Sequence, residues 1–212
     1  MKNLKEEYSN IFQNTLNPLS KRLETFLCDI FCDIPRIDRI ITRPKSINRF
    51  LDKAAKEENS KKKYTDPLNQ IQDQLGARII TFYPDDVSTI AEEIENYFHP
   101  IEDQTIVPDS DSEFGYFGKH YILLIPKDVI KTSEPKIPPF FELQIKTLFQ
   151  HAWSEANHDL GYKSEVDLTS NIKRKLAFTS AQAWGADQIF NDLQKEISSL
   201  VAQNSVEKCE KQ

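Results

Sequence analysis

Two carboxylates, Asp73 and Glu142, stand where acids are least expected, just before and inside apolar runs that read as strands. Magnesium takes one or two carboxylates and completes its octahedron with water and substrate phosphates. Two acids at the ends or faces of neighbouring strands could therefore form a metal-nucleotide site. A carboxylate beside such a metal could also take a proton from an attacking hydroxyl. The complementary charge is nearby in sequence: Arg43, Lys45, Arg49 and Lys53 gather around one strand-to-helix junction, where backbone N–H groups and cationic side chains can hold phosphate together. Between Arg36 and Lys63 ten basic residues face four acidic ones, a local excess of six positive charges in a chain whose net charge is −6. A basic patch on an acidic protein suits a compact polyanion such as a nucleotide and argues against nonspecific coating of nucleic acid or membrane. Acids near strand ends and lysine-rich helix faces are also common on ordinary wet surfaces, and that reading accounts for each feature taken singly.

A third feature is a stripe. His151, Glu155, His158 and Tyr162 follow one another at spacings of four, three and four, which places them on one helix face. The spacing is not that of a zinc protease, so a transition-metal site is the weaker reading and a solvated face the simpler one. There is no Gly-x-Ser-x-Gly, and neither Walker nor Rossmann glycine patterns occur, which sets aside serine hydrolases and the common glycine-loop nucleotide folds.

The elements that must position these groups follow from periodicity. In Phe140 to Thr147, Phe141, Leu143 and Ile145 alternate with Glu142, Gln144 and Lys146, so a strand here has an apolar face and a polar row. Thr147 and Gln150 have capping-box spacing and open a helix that runs to Gly161, a natural stop. Residues 4–33 read as a helix disturbed near Asn17-Pro18, Ile37 to Thr42 as a strand, and Ser46 as the N-cap of the next helix. Glu57 to Tyr64 reads as a lysine-rich loop and Asp66-Pro67 as the start of a short helix. Leu75 to Tyr83 is largely apolar around Arg78, as expected of an interior strand. Pro84 and Asp85-Asp86 open a helix to Phe98 with Val87, Ile90, Ile94, Tyr97 and Phe98 facing inward. Ile101 to Pro108 and His120 to Ile125 are further strands, separated by an acidic loop and a glycine-flanked turn. Ile172, Leu176, Ile189, Leu193, Ile197 and Leu200 mark C-terminal helices split around Gly185, with an apolar stripe expected to pack on the chain's own domain rather than on a second copy. This order favours an α+β sheet over a strictly alternating one.

At 212 residues, 39% hydrophobic and 28% charged, the chain can bury one core. It divides into a helical segment 1–35, a core 36–163 and C-terminal helices with a tail 164–212. No apolar run approaches the ~18 residues of a membrane span and no signal-peptide pattern opens the chain, so it reads as cytoplasmic. Three cysteines, Cys28, Cys32 and Cys209, fit reduced thiols better than a disulfide or zinc site.

Taken together, the motifs resemble a known family. Arg43-x-Lys45-Ser46 with Phe50 and Lys53, Asp73-x-x-Gly76-x-Arg78-Ile79, Gly115-Tyr116-x-x-x-His120-Tyr121, Glu142-x-Gln144-Ile145-Lys146-Thr147, and Trp153 with His158 to Tyr162-Lys163 look like the synthetase domain of the RelA/SpoT family, whose single-domain members are small alarmone synthetases. The resemblance implies a nucleotidyltransferase-like mixed β-sheet flanked by helices. It implies a Mg²⁺-dependent transfer of pyrophosphate from ATP to the 3′-hydroxyl of GDP or GTP, giving (p)ppGpp and AMP. By position it assigns Arg43 to the adenine, Lys45 and Lys53 to the ATP phosphates, and Arg49 and Arg78 to the same ATP side. Asp73 would bind Mg²⁺, and Glu142 would bind metal or act as base toward the 3′-hydroxyl. Tyr116 would stack on the guanine, and His120, Gln144 and Lys146 would line the acceptor.

Several positions depart from the pattern. Arg49 and Gly118 stand where serines are common, and Lys146 replaces an arginine whose bidentate fork lysine does not reproduce. A second adenine-stacking arginine is not evident near Asp85-Asp86. Two alternatives stay open on that ground: a toxin-type member that modifies the tRNA 3′ end or an adenosine nucleotide, with Lys61-Lys62-Lys63 gripping the RNA, and a catalytically silent nucleotide-binding regulator. A homo-oligomer through the C-terminal helix is open as well. No hydrolase half is visible, since the only His-Asp pair, His158-Asp159, falls within the synthetase-like helix.

Overall fold

The computed structural model describes residues 2–106, 114, 118–131, 137–162 and 168–209. Helix α1 (Lys2–Ile11) passes through a π-helical turn (Phe12–Leu16) into α2 (Asn17–Ile30). Pro18 explains the turn. Its ring has no N–H to donate and would crowd the carbonyl four residues back, and the ladder widens one turn earlier, with the Asn17 N–H reaching Phe12 O. Strand β1 (Ile37–Pro44) and α3 (Ile47–Ala54) follow. The expected lysine-rich loop instead forms a hairpin of two-residue strands, β2 (Glu57–Glu58) and β3 (Lys61–Lys62), because Asn59 and Ser60 take the left-handed conformation of a tight hairpin turn. Next come α4 (Pro67–Gln70), a 3₁₀ turn (Gln72–Gln74), β4 (Leu75–Thr81), α5 (Pro84–Tyr97), β5 (Glu102–Ile106), β6 (Gly118–Leu124), β7 (Phe140–Thr147), α6 (Leu148–Tyr162) and α7 (Ser170–Cys209).

The main sheet runs β1-β4-β7-β6-β5. Its central pair, β4 and β7, is parallel, with Gly76 opposite Glu142, Arg78 opposite Gln144 and Ile80 opposite Lys146. The other neighbours pair antiparallel, so this is the expected mixed α+β sheet flanked by helices. Its apolar face carries Ile79, Phe141, Leu143 and Ile145 at 0% exposure and packs on Leu19, Leu23 and Leu27 of α2 and Ile90 and Ile94 of α5. Tyr97, expected inside, is 60% exposed, whereas Phe98, where the chain turns extended, enters the core as expected. A second core joins α1 to α3. Tyr8 stacks on Phe50 with ring centres 3.7 Å apart, and the Tyr8 hydroxyl donates to Lys45 O at 2.8 Å. The first helix thus props the strand-to-helix junction that carries the cations.

The C-terminal expectation needs two corrections. The helix is not split at Gly185: α7 runs unbroken through it, since one glycine costs a long helix only about 1 kcal/mol. Its apolar stripe does not pack on its own domain either. Ile189, Leu193, Ile197 and Leu200 are 44–63% exposed, while the buried contacts of α7 are polar, through Ser180, Asp187 and Asn191. Cys28 and Cys32 are exposed free thiols. Among the described residues no helix is long and apolar enough to cross a membrane.

Candidate active site

Glu142, Gln144 and Lys146 project from the sheet face opposite the core, as alternation requires. The face is only partly wet: Lys146 is 3% exposed, covered by α6, and its Nζ donates to Ser154 Oγ at 3.1 Å. Burial, then the charge of Arg78, pushes the Lys146 ammonium down to about 7. The turn from β7 into α6 is fixed by a reciprocal capping box. The Gln150 N–H donates to Thr147 Oγ1 and the Thr147 N–H to Gln150 Oε1, both at 3.1 Å. Thr147 Oγ1 in turn donates to Asp187 of α7 at 2.7 Å, tying that helix to the end of β7.

Glu142 sits between two polar side chains. Gln144 Nε2 donates to its Oε2 at 3.0 Å, and His120 Nδ1 of β6 approaches its Oε1 at 3.4 Å. Burial alone would raise the Glu142 pKa, but His120 and Gln144 together hold it below the usual value, so the carboxylate is ionised at neutral pH. Asp73, on the 3₁₀ turn leading into β4, meets Lys45 Nζ at 2.8 Å and Lys53 Nζ at 2.9 Å, both on Oδ2. Burial again works against the charge, and the two ammonium groups outweigh it. The β1–α3 junction supplies Lys45, locked to the turn by its N–H donating to Gln74 O at 2.8 Å, and the last turn of α3 supplies Lys53. Ser46 occupies the N-cap, although its side chain makes no capping bond.

Asp73 and Glu142 line one cavity of about 350 Å³ together with Arg43, Lys45 and Arg49. Asp73 Oδ1 and Gln144 Oε1 are buried without a hydrogen-bond partner. An acceptor oxygen left over on a carboxylate that already holds two ammonium groups is what an oxygen-seeking cation requires. No cluster of three or more His, Cys, Asp or Glu exists among the described residues, so an all-protein metal cage is absent there. Two carboxylates facing a phosphate-sized cavity lined with cations fit magnesium, which takes its remaining ligands from water and phosphate.

A neighbouring cavity of about 340 Å³ shares Arg43 and Arg49 and adds Arg78, His120, Gln144 and Lys146, with Trp153 and Glu155 from α6. Arg43 and Arg78 also bound a small opening between β1, β4 and β7. Asp85 and Asp86 serve the fold: Asp86 accepts from Arg36 and from the Tyr83 N–H, and Asp85 pairs with Lys195. The His151 and Glu155 stripe is not simply solvated, because Arg78 Nη1 lies 3.1 Å from His151 Nδ1 and 2.8 Å from Glu155 Oε1. Helical spacing had put that pair on one face, but its partner comes from β4 and was invisible without the register. Of the sequence-derived site residues, Arg43, Lys45, Arg49, Lys53, Asp73, Arg78, His120, Glu142, Gln144 and Lys146 line or border these connected cavities. Tyr116, the acidic loop 109–113 and Lys163 lie outside the described residues.

The profile described as the region found in RelA / SpoT proteins matches residues 42–167, more than half of the chain, from the end of β1 through β4 to β7 and α6. The chain belongs to the RelA/SpoT family. Among its relatives is the GTP pyrophosphokinase YjbM of Bacillus subtilis (strain 168), 26% identical over 174 residues that cover 78% of this chain and 76% of that protein. Among solved structures, the small alarmone synthetase 1 from Bacillus subtilis superposes with a TM-score of 0.73 at 23% identity, covering 90% of this chain and 99% of that one. The same protein bound to its product pppGpp gives 0.68 at 22% identity, covering 91% and 97%. At such identities these likenesses establish the RelA/SpoT synthetase fold.

Proposed function

We propose that this chain is a cytoplasmic, Mg²⁺-dependent pyrophosphokinase that transfers the β,γ-diphosphate of ATP to the 3′-hydroxyl of GDP or GTP. The observation that carries the reading is the shared cavity of Asp73 and Glu142, walled by Arg43, Lys45 and Arg49. The bond between the 3′-oxygen and the β-phosphorus forms as the bond from that phosphorus to the α,β-bridging oxygen breaks, and AMP leaves. Such transfer needs alignment and neutralised oxygens more than covalent help.

Each residue has a part. Lys45 and Lys53 exchange Asp73 for phosphate oxygens of ATP, since an ammonium already oriented in the cavity loses little on changing partner. Arg43 and Arg78 hold the adenine by their guanidinium faces, and Arg49 adds charge on the same side. Glu142, ionised and oriented by His120 and Gln144, takes the proton of the 3′-hydroxyl. Tyr116 stacks on the guanine, and Gln144 and Lys146 face the acceptor. Asp73 and Glu142 would hold Mg²⁺, which when bound neutralises phosphate oxygens and aligns the transferred group. A homo-oligomer joined through the exposed apolar face of α7 completes the reading, and light scattering checks it by particle mass.

The test is an acceptor panel: protein, Mg²⁺ and γ-labelled ATP with GDP, GTP, ATP or deacylated tRNA. Label should pass to GDP or GTP. Label on tRNA or on the adenosine nucleotide instead would favour the toxin-type reaction, and label on none with nucleotide still bound would leave a silent regulator.

A further inference from the structure

Arg78 points out of the sheet, and α6 holds it. Its Nη1 meets Glu155 Oε1 at 2.8 Å and His151 Nδ1 at 3.1 Å, two residues one helical turn apart. A guanidinium can only donate, so His151 Nδ1 accepts and the imidazole is neutral with its proton on Nε2. Across the opening stands Arg43. Burial, and next the charge of Arg78, pulls its pKa down, while Glu155 works in the opposite sense on the same group. Two guanidinium groups facing one small opening repel unless anions stand close by; Glu142 lines the opening itself, and Glu155 is the anion that Arg78 holds.

We infer that His151 and Glu155 are positioning residues of the donor subsite, holding the Arg78 guanidinium opposite Arg43 so that the two clasp the purine of ATP, and that a proton on His151 loosens the clasp. This rests on ATP being the donor as proposed above. The groups acting on His151 come from every side: Arg78 of β4, Arg39 of β1, Lys146 of β7, and Glu155 of its own helix. Its burial and the cations keep the ring neutral around pH 7, and only Glu155 favours the charged form. A proton on Nδ1 removes the acceptor that Arg78 uses and sets a cation against it.

The experiment is calorimetric binding of α,β-methylene-ATP with Mg²⁺ at about pH 7.5 and about pH 5.5, on either side of the ordinary histidine pKa. Glu155→Gln should weaken binding about tenfold at both values, the scale of one charge-assisted hydrogen bond. His151→Asn keeps an acceptor oxygen and cannot titrate. It should bind like wild type at the higher pH and show a smaller loss on acidification, the titration of the nucleotide phosphates being common to both proteins. In an Arg78→Ala background neither substitution should have further effect on analogue binding, and GDP affinity should respond less to either than analogue affinity does. Effects that persist without Arg78, or an undiminished pH dependence in His151→Asn, would overturn the clasp alone. Failure of the wild-type protein to bind the analogue at all would instead remove the donor reading, and the clasp with it.

Discussion

The donor and acceptor halves of the cavity balance their charges differently. On the donor half the cations are matched by carboxylates: Lys45 and Lys53 share Asp73, and Arg78 has Glu155. On the acceptor half the arrangement is reversed. The carboxylate Glu142 is held by an imidazole and an amide, and the buried ammonium of Lys146 rests on the hydroxyl of Ser154. Under the proposed reading, a nucleotide entering the donor half takes Lys45 and Lys53 from Asp73 and leaves that carboxylate to Mg²⁺. On the same reading, one entering the acceptor half places its phosphates beside the buried Lys146 ammonium.

The largest expected effect tests the carboxylate of the acceptor half. Glu142→Gln should lower transfer by about two to four orders of magnitude, the range of a lost general base, with an unchanged thermal midpoint. Near wild-type turnover would remove Glu142 from the chemistry. Asp73→Asn comes next. It strips the lysines of their partner and the cavity of its leftover oxygen, so transfer should fall about a hundredfold and half-saturation by Mg²⁺ should move to higher concentration. A Mg²⁺ titration indistinguishable from wild type would place the cation elsewhere.

Lys146→Met sharpens the comparison through stability. The folded lysine has its pKa near 7, against the ordinary lysine value of 10.5, so between those values the unfolded chain holds a proton that the folded chain lacks. Stability therefore rises with pH across that window, and at or below about pH 7 the penalty of the buried charge is present. Removing the charge should raise the thermal midpoint by a few degrees near pH 7 and below, flatten the rise above it, and increase KM for the acceptor but not for ATP. Equal pH slopes in the two proteins would mean that Lys146 is not buried as a cation. The smallest effect belongs to the β7–α6 turn: Thr147→Val should cost about 1 kcal/mol, a shift of about 2–4 °C. A larger loss of transfer than of stability would give the capping box a role in catalysis beyond support.

The donor and acceptor halves were unequally legible in the amino-acid sequence. Strand β7 could be read because its period of two agrees with its burial, Phe141, Leu143 and Ile145 being fully buried. The capping box at Thr147 and Gln150 was equally plain, since both partners lie within one turn. The hold of α6 on Arg78 was not legible, because residues 73 and 77 positions apart meet only through the parallel pairing of β4 with β7. Nor was the β2–β3 hairpin, whose strands are too short to show a period. The split at Gly185 failed for a different reason: local propensity was weighed against a helix whose other residues outvote one glycine.

The most direct test is the identity of the two products. With γ-labelled ATP, GDP and Mg²⁺, the protein should release unlabelled AMP and a guanosine nucleotide carrying the label in the outer phosphate of its 3′-diphosphate, in a ratio of about one to one, as transfer of an intact diphosphate demands. Release of ADP with a singly phosphorylated acceptor, or of AMP with free pyrophosphate and no labelled guanosine, would contradict it.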